Sequence, residues 1–462
     1  MSFTATAATT ERGGLGTVIV VGGGWTGIAA AWHLRALGAR PVVLDRAAEL
    51  GGRSAAGPEL GGREITFGGK NIGRRYERFR AFVAEVAEPR WEHFGINSSR
   101  VGDNGRIHTV DSERGARSAL ALLRNVGARD LATIARCAWY VRGDRSERYV
   151  GGRAFDRLAE RHGDPTLDRV FGPRARSVLI RPMTVRMNGA EPDEVHLGTF
   201  GTNLAGVMET YDQLENGFGE VLDGFRRSVR CELGATVESL AVEDGRVVGV
   251  NVRRADDDVE PMRCDAVVLA VPAPASAELV APHLPDVARD LREVSYHPAA
   301  VAVVRYSRPI FAPEVRALLL PPDSPASNAG AYGVDNLDLV RYTFSGRASR
   351  AALAGDFDPE ALVAEAERRL ARVLPVSARD RVAIAARRWD AALCAYGPQH
   401  SRRVVRVRDR TRTLPGLHLT GDWARGGTIE ACFRGGEECA GDVAAALRVA
   451  AGATSDGGLR TE

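Results

Sequence analysis

Residues 17–45 combine a strand, a glycine-rich turn, a helix and a second strand, and this combination most restricts how the chain can fold. The β-branched run at 17–21 is followed at once by Gly22, Gly24 and Gly27, which have Gly-x-Gly-x-x-Gly spacing. In such a turn the first glycine permits the tight bend, the second lets the backbone approach a pyrophosphate, and the third lets the helix pack on the strand. The pattern predicts a doubly wound nucleotide-binding sheet.

The second predicted strand ends in an acid. Asp45 follows the apolar run at 41–44 and lies about twenty residues after the glycine turn, where a carboxylate accepts hydrogen bonds from ribose hydroxyl groups. A carboxylate at this point disfavours a 2′-phosphate on the same ribose. A glycine-rich turn in another doubly wound sheet is the alternative, but strand, helix, second strand and acid together favour a dinucleotide site.

Three later segments carry residues suited to the same ligand. Gly51 and Gly52 supply backbone N–H groups and Arg53 a fork of donors that suits phosphate, although a surface turn could have the same composition. Residues 68–73 read Gly-Gly-Lys-Asn-Ile-Gly, and residues 415–430 read Pro-Gly-Leu-His-Leu-Thr-Gly-Asp-Trp-Ala-Arg-Gly-Gly-Thr-Ile-Glu. Together these segments resemble the nucleotide-binding signatures of the superfamily of flavin amine oxidases, phytoene desaturases and protoporphyrinogen oxidases.

The resemblance implies the fold and its division. It implies an α/β fold (mixed α+β) in which a Rossmann-type FAD-binding domain is assembled from discontinuous segments, with an interleaved substrate domain of mixed sheet and helices. The FAD-binding segments are predicted at 14–75, 231–290 and 412–450, the substrate-binding segments at 76–230 and 291–411, and tails at 1–13 and 451–462. The apolar patterns predict helices at 78–87, 118–141, 359–373 and 431–446 and strands at 235–240, 246–252, 266–271 and 299–306.

The resemblance also implies FAD held without a covalent bond. Residues 423–425 read Trp-Ala-Arg, so the tyrosine or cysteine that tethers flavin in some monoamine oxidases is absent. Asp422 is expected near the cofactor hydroxyl groups, and N–H groups near Thr428 and Ile429, with the helix dipole, would stabilise negative charge on the reduced ring. Glu430 is either part of this site or an ordinary first-turn acid. The predicted cofactor-binding residues are Gly22, Gly24, Trp25, Thr26, Gly27, Asp45, Arg46, Gly52, Arg53, Gly69, Lys70, Asn71, Val237, Gly421, Asp422, Thr428 and Ile429.

Charge and composition narrow the function classes. A net charge of +3 over 462 residues gives no reason to expect a nucleic acid partner. No run reaches the ~20 apolar residues of a membrane span, and the first residues lack the apolar core of a signal peptide. The six cysteines and nine histidines show no metal-ligand spacing, so we predict no metal and a reduced, cytoplasmic location.

Two departures from the family bear on the reaction. Where amine oxidases of the superfamily commonly have a lysine near flavin N5, this chain has Val301, and Thr428 replaces a tyrosine that often helps to enclose the amine. The loop at 69–76 resembles that of the desaturases, and residues 388–400 resemble a segment of protoporphyrinogen oxidases. We therefore predict an FAD-dependent dehydrogenase or oxidase of secondary metabolism that moves a hydride from a small substrate to flavin N5, leaving C=C or C=N.

Within that class the sequence favours desaturation of an apolar or polycyclic molecule, with oxygen or another compound as electron acceptor. Oxidation of an amine or amide is the close alternative. A second alternative, from another class, is a flavin-dependent isomerase without net redox chemistry, or a flavin-binding subunit.

Four residues are candidates for the catalytic cavity. Lys70 is the single lysine of the chain and could hold a substrate carboxylate or stabilise the reduced flavin, whereas an exposed loop lysine is the plainer interpretation. Thr428, Trp389 and Tyr396 are candidate cavity walls, although large aromatic residues are more often part of the core.

In an arginine-rich segment at 402–412, arginines interleave with Val404, Val405 and Val407, and the later arginines occupy alternate positions. The alternation predicts one solvated face of a strand. Peripheral contact with an acidic membrane surface is the alternative for the same residues.

Overall fold

The computed structural model describes residues 14–102, 105–111, 126–254 and 258–456, with side chains up to residue 451. These residues form a five-stranded parallel sheet, a three-stranded antiparallel sheet, a seven-stranded sheet and two small sheets. The mixture of helices and sheets confirms the predicted α/β (mixed α+β) class. The predicted tail at 1–13, the last six residues of the chain and part of the predicted helix at 118–141 lie outside the described residues.

The parallel sheet brings distant parts of the chain together. Its strands, in spatial order, are Arg230–Leu233, Arg40–Asp45, Thr17–Val21, Ala266–Leu269 and Leu417–Leu419, and neighbours run parallel. Val18, Ile19 and Val20 are fully buried, because the central strand is covered on both faces. One face carries the first helix (Trp25–Ala36) and the closing helix (Ile429–Asp456).

The other face of the parallel sheet packs on the three-stranded sheet, whose strands are Thr236–Glu243, Arg246–Arg253 and Val259–Arg263. Two of these strands and Ala266–Leu269 account for the three strands predicted between 235 and 271. The two helices Ala273–Val280 and Pro285–Arg292 pack in the same core.

Two helices from the predicted substrate segment pack in the core between the parallel sheet, the first helix and the closing helix, which we call the nucleotide-side core. Phe79 on helix Glu77–Val86 lies 5.2 Å from Trp25, ring centroid to centroid, and Phe218, next to helix Gly219–Ser228, lies 5.0 Å from the same ring. The apolar face of each helix is thus buried against the first helix. The division of the chain into domains stays a prediction, and at these helices its boundaries do not follow the cores.

The seven-stranded sheet forms the opposite side of the molecule. Its strands, in spatial order, are Arg381–Cys394, Tyr296–Tyr306, Leu339–Phe344, Ala326–Ala331, Ala317–Leu319, Asn97–Val101 and Ile107–Asp111. Helix Pro359–Leu370 packs on its core through Val363, Ala366 and Leu370. Further helices of six or more residues in the described part of the chain are Ala128–Gly143, Arg153–His162, Arg181–Asn188, Phe200–Val207, Arg347–Ala352 and His400–Thr411.

The strand prediction for the arginine-rich segment is wrong. The structure has a helix over His400–Thr411 (the arginine-rich helix), on which Arg403, Arg406 and Arg410 share a face. Arg406 and Arg410 reach Asp290 at 2.9 and 3.1 Å. These ion pairs with an acid on a neighbouring helix favour the helical conformation. A short alternating run does not show such contacts, so its pattern alone suggested a strand.

The closing helix is longer than predicted. It continues to Asp456, so residues 451–456, which we predicted as tail, are helical. Residues 444–453 include six alanines, the residue with the highest helix propensity, and this favours continuation of the helix beyond the predicted end at residue 446. Within the described residues, no helix combines the length and apolar character needed to cross a membrane.

Candidate active site

A cavity of about 2690 Å³ lies between the parallel and seven-stranded sheets. It exceeds the roughly 300–1,000 Å³ of a site for one small ligand, so it has room for a dinucleotide and a substrate. Most predicted site residues line it, and Gly27 and Gly421 do not. The predicted residues on its wall are Gly22, Gly24, Trp25, Thr26, Asp45, Arg46, Gly52, Arg53, Gly69, Lys70, Asn71, Val237, Trp389, Tyr396, Asp422, Thr428 and Ile429.

The glycine turn has the geometry that its spacing predicts. Gly22 has a φ of +107°, which favours glycine, and a Cβ on Gly27 would lie 1.8 Å from the Gly22 carbonyl oxygen. A Cβ on Gly24 would meet no heavy atom within 4 Å, and Gly24 faces the cavity. Gly27 is thus needed for helix–strand packing, whereas Gly24 leaves open space where a ligand can approach the backbone.

Asp45 holds the turn itself. Its carboxylate accepts hydrogen bonds from the Gly23 N–H at 2.6 Å and the Ala47 N–H at 2.8 Å. The Gly51 N–H donates to the Gly23 carbonyl at 2.8 Å and ties the next turn to the first. The acid is therefore fixed at the end of its strand, on the wall of the cavity.

Arg53 and Asp422 form an ion pair across the two ends of the chain. Arg53 Nη2 lies 2.8 Å from Asp422 Oδ2, and the hydroxyl of Tyr296 donates to the other carboxylate oxygen. Burial raises the pKa of Tyr296 well above its ordinary value, and the Asp422 charge raises it further. The sequence carried no signal for Tyr296, because its role depends on a contact between residues 126 positions apart.

The closing helix begins at the cavity wall. The Thr428 hydroxyl accepts a hydrogen bond from the Ala431 N–H at 3.1 Å, which makes Thr428 the N-cap, and Thr428 and Ile429 both face the cavity. The positive end of the helix dipole therefore points at the cavity.

Glu430, which the sequence left open, caps a different helix. Its carboxylate accepts hydrogen bonds from the N–H groups of Arg78 and Phe79, at 3.2 and 3.1 Å, in the first turn of helix Glu77–Val86. Glu430 thus links two helices of the nucleotide-side core and does not face the cavity.

Lys70 is not an exposed loop lysine. Its Nζ donates to the Tyr332 carbonyl at 2.6 Å and to the Gln213 side chain, and it lies 4.1 Å from the Phe94 ring centroid and 4.7 Å from that of Tyr332. Burial lowers the pKa of Lys70 well below its ordinary value, and the positive charge of Arg341 lowers it further. The part of Lys70 that is not covered by protein faces the cavity.

The other candidate cavity residues have distinct environments. Tyr396 is buried, has a φ of +44° and donates from its hydroxyl to the Asp422 carbonyl at 3.1 Å. Trp389 and Val301 line the cavity from neighbouring strands of the seven-stranded sheet. Asn71 Oδ1 is buried and has no hydrogen-bond partner among the described residues, so it is free to receive a donor from a ligand.

The sequence as a whole identifies the family. The model of the family described as flavin containing amine oxidoreductase matches residues 25–444. The chain belongs to this family. It is therefore a flavin-dependent oxidoreductase with a small-molecule substrate and an electron acceptor, as the sequence motifs predicted.

Several solved structures share the fold of this chain. A putrescine oxidase double mutant is 16% identical with a TM-score of 0.71, and the match covers 93% of this chain and 99% of that one. Cyclohexylamine oxidase from Brevibacterium oxydans IH-35A is 17% identical with a TM-score of 0.69, covering 94% and 99%. A CLA-producing fatty acid isomerase from P. acnes is 13% identical with a TM-score of 0.62, covering 91% and 97%. At these identities the likeness concerns the fold.

Proposed function

We propose that the cavity holds FAD without a covalent bond, in an extended pose across the parallel sheet. The Gly22–Gly24 turn and the start of the first helix would receive the pyrophosphate, Asp45 the adenosine ribose, and the backbone at Val237 the adenine. The Arg53–Asp422 pair and the N-terminus of the closing helix would hold the flavin half. The observation that carries the proposal is that all these groups line one cavity.

The residues present fit this ligand. Gly24 leaves open space beside its Cα, and the buried Asn71 Oδ1 and Trp25 Nε1 have no partner among the described residues. The helix N-terminus at Thr428 supplies positive potential where negative charge develops on a reduced flavin. Arg46 and Thr26 lie on the same wall and are suited to phosphate oxygens.

We propose a dehydrogenation that forms C=C or C=N, favouring C=C, on a secondary metabolite in the cytoplasm. Bound flavin supplies a two-electron acceptor for the hydride of a saturated carbon. The protein contributes the pose of that carbon and the exclusion of water: Trp389, Tyr396 and Val301 give that part of the wall a largely apolar surface. Val301 offers no amine to hold a water, where many amine oxidases have a lysine.

Anaerobic mixing tests the redox assignment. Purified protein with bound flavin is mixed without oxygen with saturated cyclic compounds, with secondary amines and with amides, and flavin absorbance near its long-wavelength band is followed. Bleaching by the saturated compounds supports desaturation, and bleaching by amines or amides alone moves the reaction to C–N oxidation. Product formation without bleaching and without consumption of an acceptor would favour isomerisation.

A further inference from the structure

The substrate side of the cavity is strongly basic. This side is formed by the seven-stranded sheet, helix Arg181–Asn188 and the loop around Lys70. The cationic side chains on it that have no carboxylate partner among the described residues are Lys70, Arg100, Arg186, Arg341 and Arg387. The acid among the described residues lining this side is Asp390, and it is already paired with Arg388 at 2.9 Å.

Arg341 sits in the wall without a counter-charge. Its guanidinium donates to the backbone carbonyls of Thr66, Phe67 and Gly68, at 2.8, 2.5 and 2.9 Å, and makes no ion pair within the described part of the chain. Burial lowers the pKa of Arg341 to about 10, and the nearby charge of Arg186 acts in the same direction. The three carbonyls accept from part of its five N–H donors and leave its positive charge uncompensated.

Arg186 is the second unpaired cation. It belongs to helix Arg181–Asn188, faces the cavity, and makes neither a hydrogen bond nor an ion pair with a described side chain. Its five donors are therefore available to a ligand. Helix Arg181–Asn188 contacts strand Ala326–Ala331, which pairs with the strand that carries Arg341, and both arginines line the cavity.

Lys70 brings no negative charge to this cluster, and it makes no ion pair with a carboxylate of the described residues. The carboxylate of Glu92, whose charge raises the pKa of Lys70, is paired with Arg63 at 2.6 Å, and the side chain of Gln213 bonds both Glu92 and Lys70. The surrounding wall is apolar and includes Met183, Met187, Leu318 and Leu320. A ligand that fits this part of the cavity has an anionic group and a hydrocarbon body.

We propose that the substrate carries a carboxylate, which binds between Arg186 and Arg341 while its hydrocarbon part lies along the apolar wall towards the flavin. Guanidinium groups bind carboxylates in a bidentate manner with favourable charge. A cationic amine would be repelled by the same cluster. The inference rests on the proposed function, because it places the substrate in the cavity that holds the cofactor.

Three probes of equal chain length test the charge preference. Octanoate, 1-octanol and octylamine are titrated into the purified protein by isothermal titration calorimetry, a readout that does not depend on turnover. We expect octanoate to bind at least about tenfold more tightly than octylamine, as a charge-assisted hydrogen bond would give. Octylamine binding as tightly as octanoate, or no octanoate binding at millimolar concentration, would overturn the proposal.

Two variants locate the site. Arg186→Met removes a side chain that makes no hydrogen bond or ion pair with a described residue, so no protein group loses a partner, and octanoate should bind at least about tenfold more weakly. Arg129→Met makes the same charge change on an exposed helix position outside the cavity and should alter octanoate affinity less than twofold. Equal effects of the two variants would show that only net charge matters and would refute the site.

The flavin content of each sample, read from its absorption spectrum, separates this inference from the proposed function. Protein that retains FAD but binds octanoate and octylamine equally would refute the carboxylate site alone. Protein without FAD that still selects octanoate through Arg186 would refute the proposed function and leave the anionic site standing.

Discussion

Replacing Gly24 by alanine separates cofactor binding from folding. Gly24 has a φ of −76° and a ψ of 175°, a conformation that alanine adopts readily, and its added Cβ would meet no protein atom within 4 Å. The apoprotein should therefore be as stable as wild type or gain about 0.4–1 kcal/mol from the reduced freedom of the unfolded chain. The methyl group would instead occupy the space that the pyrophosphate needs.

The loss of FAD affinity follows from that crowding. Forcing one extra carbon into a close contact costs about 1–3 kcal/mol, which corresponds to a rise in Kd of about 5- to 150-fold. Quenching of FAD fluorescence on titration with apoprotein gives Kd, and thermal unfolding of the apoprotein gives its stability. Unchanged FAD affinity in Gly24→Ala would refute the placement of the pyrophosphate at this turn.

Two glycines serve as controls for that experiment. Gly127 also precedes a helix, has a φ of −65° and has open space around its Cβ position, but it lies outside the cavity, so Gly127→Ala should leave FAD affinity unchanged. Gly27→Ala should destabilise the fold itself, unlike Gly24→Ala, because its Cβ would collide with the Gly22 carbonyl. We expect the Gly27→Ala apoprotein to unfold at a lower temperature than the wild-type apoprotein, in the absence of FAD.

Three further predictions concern stability. Glu430→Gln should lower the free energy of unfolding by about 1 kcal/mol, because it weakens the cap on helix Glu77–Val86; urea unfolding measures this, and no change would show that the cap is dispensable. His400 is buried and burial lowers its pKa from 6.5 to about 4, so the unfolded state binds its proton first as pH falls. Stability should therefore be full above pH 6.5 and decline by up to about 3 kcal/mol towards pH 4, and a His400→Gln variant should show a shallower decline in pH-dependent unfolding. In a double-mutant cycle, Arg53→Met and Asp422→Asn should show a coupling energy of at least about 1 kcal/mol; additive effects would mean that the pair across the chain ends contributes nothing.

The nucleotide-side half of the fold could be predicted from the sequence because its signals are local. Gly22 has the positive φ of the turn, Gly27 packs against the Gly22 carbonyl, and Gly24 leaves open space, as the spacing of the three glycines implied. The family match over residues 25–444 agrees with the same motifs. Roles of individual site residues stay predictions, since they concern a ligand.

What the sequence missed depends on contacts between distant segments. The enclosure of Lys70 by Phe94, Gln213 and Tyr332 joins segments up to 262 positions apart and has no motif. The strand prediction for the arginine-rich helix is wrong on similar grounds: the acids that pair with this helix, such as Asp290, lie on another helix. The positive charge of the cavity likewise cannot be predicted from the sequence, because it depends on the fold bringing Arg186 and Arg341 to one wall.

The absorption spectrum of the purified protein, before and after heat or acid treatment, tests the central claim most directly. We predict a flavin band in the native protein and free FAD in the supernatant after denaturation, which would establish both the cofactor and its non-covalent binding. A colourless protein that takes up no added FAD would contradict the cofactor site, and flavin that stays with the precipitate would contradict non-covalent binding.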